Sequence, residues 1–151
     1  NLYASTSLDS DVDVAQKAWQ RVHEINPGHL GALIGLAKAA IFKKESDKIE
    51  KYVSDVIGKV DKRKALHQVA DTAFKQGYFL QAAALYEKML SLDNKNIDAL
   101  VNIATCFAKT GNLKAAIHGY KAAYNIDPGN KLVRKNMLAL QNALAAEAEK
   151  K

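Results

Sequence analysis

Two side chains with catalytic potential lie four residues apart in the sequence. A histidine, His67, precedes a carboxylate, Asp71, at a spacing that places both on one face of a helix. Such a pair could form a hydrogen-bonded acid–base unit. Because no nucleophile or further ligand accompanies the pair in its segment, we favour the interpretation that both are polar surface residues in a binding groove. Catalysis is therefore not predicted.

The other metal-binding and nucleophilic side chains are scattered along the chain. His23, His29 and His118 share no spacing that would bring three imidazoles to one metal ion. The single cysteine, Cys106, lies in an apolar segment and is predicted to pack in the core rather than to act as a thiolate. Glycine-rich phosphate loops are absent from the sequence. We therefore expect neither a metal nor a cofactor.

Length and composition restrict the class of protein. The chain has 151 residues, of which 48% are hydrophobic, and a net charge of +6. This length fits one compact domain or a short repeat array. No segment approaches the roughly 18 apolar residues that cross a bilayer, and residues 1–13 do not follow the order of a signal peptide, so membrane insertion is not predicted. The compartment stays unknown from the sequence.

The spacing of apolar residues predicts an all-helical chain. Apolar positions recur at intervals of three and four, and only two prolines and eight glycines interrupt them. The predicted helices span residues 11–25, 30–43, 47–58, 63–76, 79–91, 97–110, 113–125 and 131–148. Residues 1–8 favour neither helix nor loop.

The sequence also repeats with a constant period in its second half. The matched pairs are Leu66 and Leu100, Ala70 and Ala104, Gly77 and Gly111, Ala82 and Ala116, and Tyr86 and Tyr120. The small residues allow two helices to approach closely, and the tyrosines fill the space to the next pair. A third copy, which contains Leu33 and Ala37, lies upstream at an interval one residue shorter. It has Lys44 at the glycine position, so we expect a looser or differently capped turn there.

These recurring positions resemble those of the tetratricopeptide repeat (TPR) family, whose period is about 34 residues. The stretch from Ala99 to Asn130 follows the family pattern almost throughout, whereas residues 11–28 match only a second helix, and Tyr3 lies where a preceding first helix would need a small residue. The resemblance implies an all-α, right-handed α-solenoid of antiparallel helix pairs. The implied organisation is an unassigned segment at 1–10, a partial repeat at 11–28, complete repeats at 29–62, 63–96 and 97–130, and a capping helix at 131–151.

The resemblance also implies a function, that of a non-enzymatic scaffold whose first helices line a concave binding surface. The amides of Gln68, Asn102 and Asn136 recur once per period on that surface. They are predicted either to bind a peptide backbone or to bond neighbouring helix ends. The predicted partner-binding residues are Lys38, Phe42, Lys64, His67, Gln68, Asp71, Phe74, Asp98, Val101, Asn102, Thr105, Lys135 and Asn136.

Charge distribution bears on the kind of partner. The net charge is −2 over residues 1–27 and +3 over residues 131–151. An acidic partner is therefore predicted, the alternative being that the lysines form only a solvated surface. RNA binding is a disfavoured alternative, because acidic residues interrupt the predicted groove and a strongly basic inner stripe is absent.

One partner class is predicted not to bind. Chaperone-binding members of the family hold the carboxylates of EEVD-type tails with lysine, asparagine and arginine side chains. The corresponding residues in this chain are Ile34, Lys38, Gln68, Asp98 and Asn102. Since only Lys38 matches in chemistry and Asp98 has the opposite charge, the resemblance does not extend to this activity.

Self-association is the second function that the sequence suggests. Trp19 and Val22 belong to the predicted helix at 11–25, which has no first helix of its own to cover it. An uncovered apolar edge of this kind favours contact with another copy of the chain or with further repeats.

Overall fold

Helices make up nearly all of the part of the chain that the structure describes. The structure is a computed structural model that describes the backbone of residues 2–150 and the side chains of residues 10–150. The helices are α1 (Leu2–Ile25), α2 (Leu30–Lys43), α3 (Ser46–Lys59), α4 (Arg63–Lys75), α5 (Phe79–Leu92), α6 (Ile97–Lys109), α7 (Leu113–Ile126) and α8 (Lys131–Glu149). No strand occurs among the described residues, so the chain is all-α as predicted.

The helices stack in chain order as an all-α solenoid. α2 pairs with α3, α4 with α5 and α6 with α7, while α1 packs on α2 and α8 packs on α7. The junction between the α2–α3 and α4–α5 pairs differs from the junction between the α4–α5 and α6–α7 pairs. At the first, close contacts join α2 to α4 and α3 to α5, whereas at the second they join the successive helices α5 and α6. The turn at this junction, residues 60–62, is one residue shorter than the turn at 93–96, which accounts for the shorter interval before the second copy of the repeat.

Burial follows the predicted repeat positions. Ala37, Ala70 and Ala104 are fully buried where helices approach one another, and Tyr86 and Tyr120 are buried beside them. A main core extends from α2 to α6, and a smaller one joins α6, α7 and α8. The small and large residues therefore have the packing roles that their spacing predicted.

Lys44 corrects one expectation about the turns. It adopts the left-handed conformation (φ 57°, ψ 35°), as Gly77 and Gly111 do at the ends of α4 and α6. The Lys44 N–H donates to the Ile41 carbonyl at 3.2 Å, and the next N–H, of Glu45, donates to the Ala40 carbonyl at 3.0 Å. Because the two glycine turns contain the same pair of bonds, the expectation of a looser or differently capped turn was wrong.

This strained lysine leads to a stability prediction. Lys44→Gly is expected to raise the free energy of unfolding by about 1 kcal/mol, because glycine adopts the left-handed conformation without a Cβ penalty. A thermal scan by circular dichroism should then show a midpoint about 2–4 °C higher. Lys109→Gly, at the helical end of α6, serves as the matched control and should lower stability. A lower midpoint for Lys44→Gly would contradict the prediction.

Helix α1 is longer than predicted and is anchored by polar contacts. It begins at Leu2, nine residues before the predicted start; the side chain of Tyr3 lies outside the described side chains. Gln16 is 7% exposed, accepts from Lys43 Nζ at 2.9 Å and donates to Glu45 Oε2 at 2.8 Å. Lys43 Nζ also lies 2.7 Å from Asp13 Oδ1, and this hydrogen bond lowers the pKa of Asp13 and raises the pKa of Lys43. These contacts fix α1 to the α2–α3 turn.

Candidate functional site

The predicted binding residues lie on the first helices of the pairs, α2, α4 and α6, and on α8. Asparagine side chains cap the starts of α6 and α8. Asn96 Oδ1 accepts from the Ala99 N–H, and Asn130 Oδ1 accepts from the Val133 N–H. Three pockets on these helices collect part of the predicted set. We call them the α2, α4 and α8 pockets.

The α2 pocket, of about 290 Å³, is apolar with one cationic group. Lys38 is the charged member of its described lining, and Phe42 is partly exposed at its edge. Because Trp19 from α1 forms one wall, α1 belongs to the candidate site, which the sequence did not indicate. The described lining residues are Val12, Ala15, Trp19, Gly31, Ile34, Gly35, Lys38, Ala39 and Phe42.

Gly35 explains how Trp19 fits. A Cβ atom at Gly35 would lie 2.5 Å from Trp19 Cδ1, so the indole ring lies directly on the α2 backbone. Gly35 precedes Gln68 by the same interval that separates Leu33 from Leu66, and it therefore occupies the repeat position of the recurring amides. At this repeat position the chain has glycine instead of an amide residue, and the Trp19 ring fills the space that the amide side chain would take. The repeat spacing could have revealed that Gly35 belongs to the series.

The α4 pocket, of about 380 Å³, is polar and basic. His67 packs edge-on against Tyr86, with ring centroids 6.0 Å apart. Asp71 is paired with Lys75 at 2.8 Å instead of with His67. The acid–base pair that the spacing allowed is therefore not formed. The described lining residues are Arg63, Lys64, His67, Gln68, Met89 and Asn96.

The α8 pocket, of about 250 Å³, contains a chain of hydrogen bonds. Thr105 Oγ1 donates to the Val101 carbonyl at 2.8 Å, and it also lies 2.8 Å from Tyr120 Oη. Asn136 Nδ2 donates to Tyr120 Oη at 3.3 Å. Since the Thr105 hydroxyl has one proton, Tyr120 donates to it and accepts from Asn136. Asn136 therefore bonds a neighbouring helix with one amide hydrogen and keeps its carbonyl and its second hydrogen for other partners.

The other predicted residues lie outside these pockets. Phe74 is half-buried and packs edge-on against Phe79 at 5.3 Å, and Val101 packs against the smaller core. Asn102 is half-buried in the middle of α6, and no hydrogen bond to its amide occurs among the described residues. Asp98 is exposed in the first turn of α6, and Lys135 is exposed near the start of α8.

Cys106 has the environment of a packing residue. Its side chain is 1% exposed, and burial raises the pKa of the thiol to about 11. Burial also raises the pKa of the neighbouring Tyr86 to about 12, with smaller contributions from the Cys106 and Asp71 charges. Neither group is ionised near pH 7, so neither is suited to nucleophilic chemistry there.

We expect Cys106 to be unreactive in the folded chain. Native protein at pH 8 should react with a disulfide reagent such as DTNB at least about 100-fold more slowly than the urea-unfolded protein, because the thiol is both enclosed and protonated. The rate of thionitrobenzoate release measures this difference. A variant with an added surface cysteine, Gly58→Cys, provides the exposed reference. Equal rates at Cys106 in both states would contradict the burial argument.

The described part of the chain contains neither a candidate metal site nor a candidate membrane span. Within it, His, Cys, Asp and Glu side chains form no group of three or more with metal-binding geometry. None of its helices combines the length and the apolar character that membrane crossing requires.

Comparisons with known proteins relate this geometry to a family. Residues 73–139 match the family model for the tetratricopeptide repeat. A crystal structure of MamA is 16% identical with a TM-score of 0.62, over 96% of this chain and 85% of that one. The first TPR of Spaghetti (RPAP3), bound to HSP90 peptide SRMEEVD, is 14% identical with a TM-score of 0.55, over 77% of this chain and 93% of that one.

A plant domain gives the same result. The Arabidopsis OM64 TPR domain is 19% identical with a TM-score of 0.53, over 75% of this chain and 94% of that one. No sequence among curated proteins matches the chain. At these identities the structural likeness establishes the fold.

Proposed function

We propose that the chain is a tetratricopeptide repeat protein, as the family match over residues 73–139 and the shared fold support, and that it is a non-enzymatic adaptor that binds a peptide or partner domain along its first helices. The fold is in general a scaffold for protein–protein interaction. The observation that carries the proposal is that a first helix or α8 contributes to each of the three pockets, with cationic groups in the α2 and α4 pockets and amide groups in the α4 and α8 pockets. This combination suits an extended segment with acidic and apolar side chains.

Each pocket has a distinct part in the proposed binding. The α2 pocket would take an apolar side chain against Trp19, with an acidic neighbour on Lys38. In the α4 pocket, Lys64 supplies a cation and Gln68 an amide with two donors and an acceptor. The Asn136 carbonyl in the α8 pocket would accept from a peptide N–H. Amides in the α4 and α8 pockets allow binding to backbone whatever the side chains are.

The proposal is tested with peptides selected from a random twelve-residue display library. Selected peptides should be enriched in Asp and Glu, and the double variant Asn102→Ala plus Asn136→Ala should weaken their binding at least about tenfold in isothermal titration calorimetry. Asn125→Ala, an exposed asparagine on the second helix α7, is the matched control and should bind as the native chain does. Equal loss in the control, or none in the double variant, would reject these helices as the site.

For the EEVD-type chaperone tail, by contrast, we predict no binding. The peptide SRMEEVD is expected not to bind at micromolar concentration, because Ile34 lacks a cation and the exposed Asp98 carboxylate repels the tail carboxylates. Titration calorimetry with this peptide measures the outcome. Micromolar affinity that is abolished by Lys38→Ala would show that the clamp exists despite these residues.

A further inference from the structure

A hollow of about 280 Å³ lies between α3 and α5, the second helices of the first two complete pairs. We call it the α3–α5 slot. It lies at the junction where close contacts join α3 to α5, so both of its walls belong to the interior of the array. None of its described lining residues belongs to the α2, α4 or α8 pocket. The slot is therefore separate from the proposed adaptor surface.

Leu80 makes the slot an exposed apolar surface. Its side chain is 62% exposed and lines the slot together with Ile57 and Ala84. The residues at the equivalent position of the other repeats are charged and exposed, namely Asp13, Asp47 and Lys114. A single exposed leucine is ordinary, but an exposed leucine at the edge of an apolar hollow is typical of a contact surface. The repeat itself does not require an apolar residue here.

Carboxylates border the same slot. Glu50 lines it, and Glu87 lies three residues beyond Ala84, on the same side of α5. Both glutamates are exposed, and neither forms an ion pair with any described side chain.

The lysines of these two helices have other neighbours. Their contacts are Lys48 with Glu45 at 3.0 Å, Lys59 with Asp55 at 3.9 Å, Lys88 with Asp61 at 3.1 Å, and Lys51 with the centre of the Tyr52 ring at 5.6 Å. None of these lysines lines the slot. The uncompensated charge at the slot is therefore negative, although the chain as a whole has a net charge of +6. A partner with cationic side chains is complementary to it.

We propose that the α3–α5 slot binds an amphipathic helix of a partner protein. Apolar side chains of that helix enter the slot against Leu80, and its Lys or Arg side chains pair with Glu50 and Glu87. A groove between two helices takes a third helix through side chains spaced three and four residues apart. Small-molecule sites usually have roughly 300–1,000 Å³, so the slot is better suited to anchoring side chains than to a cofactor. The chain would then hold two partners of opposite charge on separate surfaces.

Helical peptides selected from a phage-displayed library against the native chain provide the probe. Selected sequences should have Lys or Arg beside Leu or Phe at helical spacing. Leu80→Lys, which introduces the residue type of the equivalent Lys114, should weaken their binding at least about tenfold in titration calorimetry, because it removes the apolar contact and adds a repelling cation. Leu132→Lys is the matched control, since this leucine is 58% exposed on α8, and it should bind as the native chain does. Circular dichroism checks that each variant is folded.

Charge is tested separately with Glu50→Gln plus Glu87→Gln. This variant should bind the selected helices at least about threefold more weakly at low salt, and its affinity should depend less on salt than that of the native chain. Selected helices without Lys or Arg enrichment, or unchanged affinity in Leu80→Lys, would overturn the proposal.

Two further measurements identify the surface and the occupant. Asn102→Ala plus Asn136→Ala alters the proposed adaptor surface and should bind the selected helices as the native chain does, so the two proposals can fail independently. Equal loss in this variant would overturn the slot as the site. Light scattering on the native chain tests for a second copy as the occupant. A dimer mass that Leu80→Lys reduces to a monomer would show that another copy fills the slot, and would also overturn the proposal.

Discussion

Gly119→Leu is expected to lower the free energy of unfolding by about 3 kcal/mol. The repeat spacing alone predicts the opposite, because Leu85 occupies the same position one repeat earlier and is fully buried there. The difference arises from the approach of α7 to α6. A Cβ atom at Gly119 would lie 2.9 Å from Ala104 Cβ and 3.4 Å from Ala104 Cα, and neither atom can rotate away. Leucine would therefore force the two helices apart.

Urea unfolding followed by circular dichroism measures this effect. The matched control is Gly58→Ala, because a Cβ atom at this exposed position in α3 meets nothing within 4 Å. That variant should gain up to about 1 kcal/mol from helix propensity. If Gly119→Leu were as stable as the native chain, the close approach of α6 and α7 would be refuted, and the repeat spacing would be the better guide.

Gly35→Asn is expected to destabilise the chain by about 2–3 kcal/mol, and a second change, Trp19→Tyr, is expected to restore most of this loss. Asparagine at Gly35 would overlap the indole ring that lies on the α2 backbone. Trp19→Tyr with Gly35→Asn reproduces the pair that Tyr120 and Asn136 already form between α7 and α8. The double variant therefore exchanges one compatible pair for another.

A double-mutant cycle provides the measurement. Trp19→Tyr alone should lose about 1 kcal/mol by leaving space above Gly35. The coupling free energy between the two positions should then be at least about 2 kcal/mol. Gly31→Asn is the control, since its nearest contact is the His29 side chain at 3.1 Å rather than Trp19. Additive losses at Trp19 and Gly35 would show that the two do not share one packing site.

Much of the fold is accessible from the sequence because repeat packing is local. Each helix pair contacts mainly its neighbours, so a position such as Ala70 meets nearly the same surroundings as Ala104. The all-helical class, the order of the helices and the buried small residues therefore follow from the repeat period. The extension of α1 to Leu2 does not follow from it, because α1 has 24 residues whereas the second helices α3, α5 and α7 have 14 each.

The candidate site is less accessible because it depends on side-chain partners. The spacing of His67 and Asp71 permits a pair, yet Lys75 is also four residues from Asp71 and its cation binds the carboxylate instead. Asn136 similarly shares its amide with Tyr120, whose hydroxyl is already ordered by Thr105. Competition of this kind depends on interatomic distances that a periodic pattern does not contain.

By itself, the sequence determined that the chain is an array of helix pairs, because apolar spacing sets helix faces and a constant period sets their stacking. Only the tertiary structure decided how Trp19 and Gly35 fit together and that Lys44 takes a glycine conformation. The physical reason is that a period records which residues are equivalent. Whether an equivalent position has space for a larger side chain is decided by close packing, which depends on distances between residues that lie far apart in the chain.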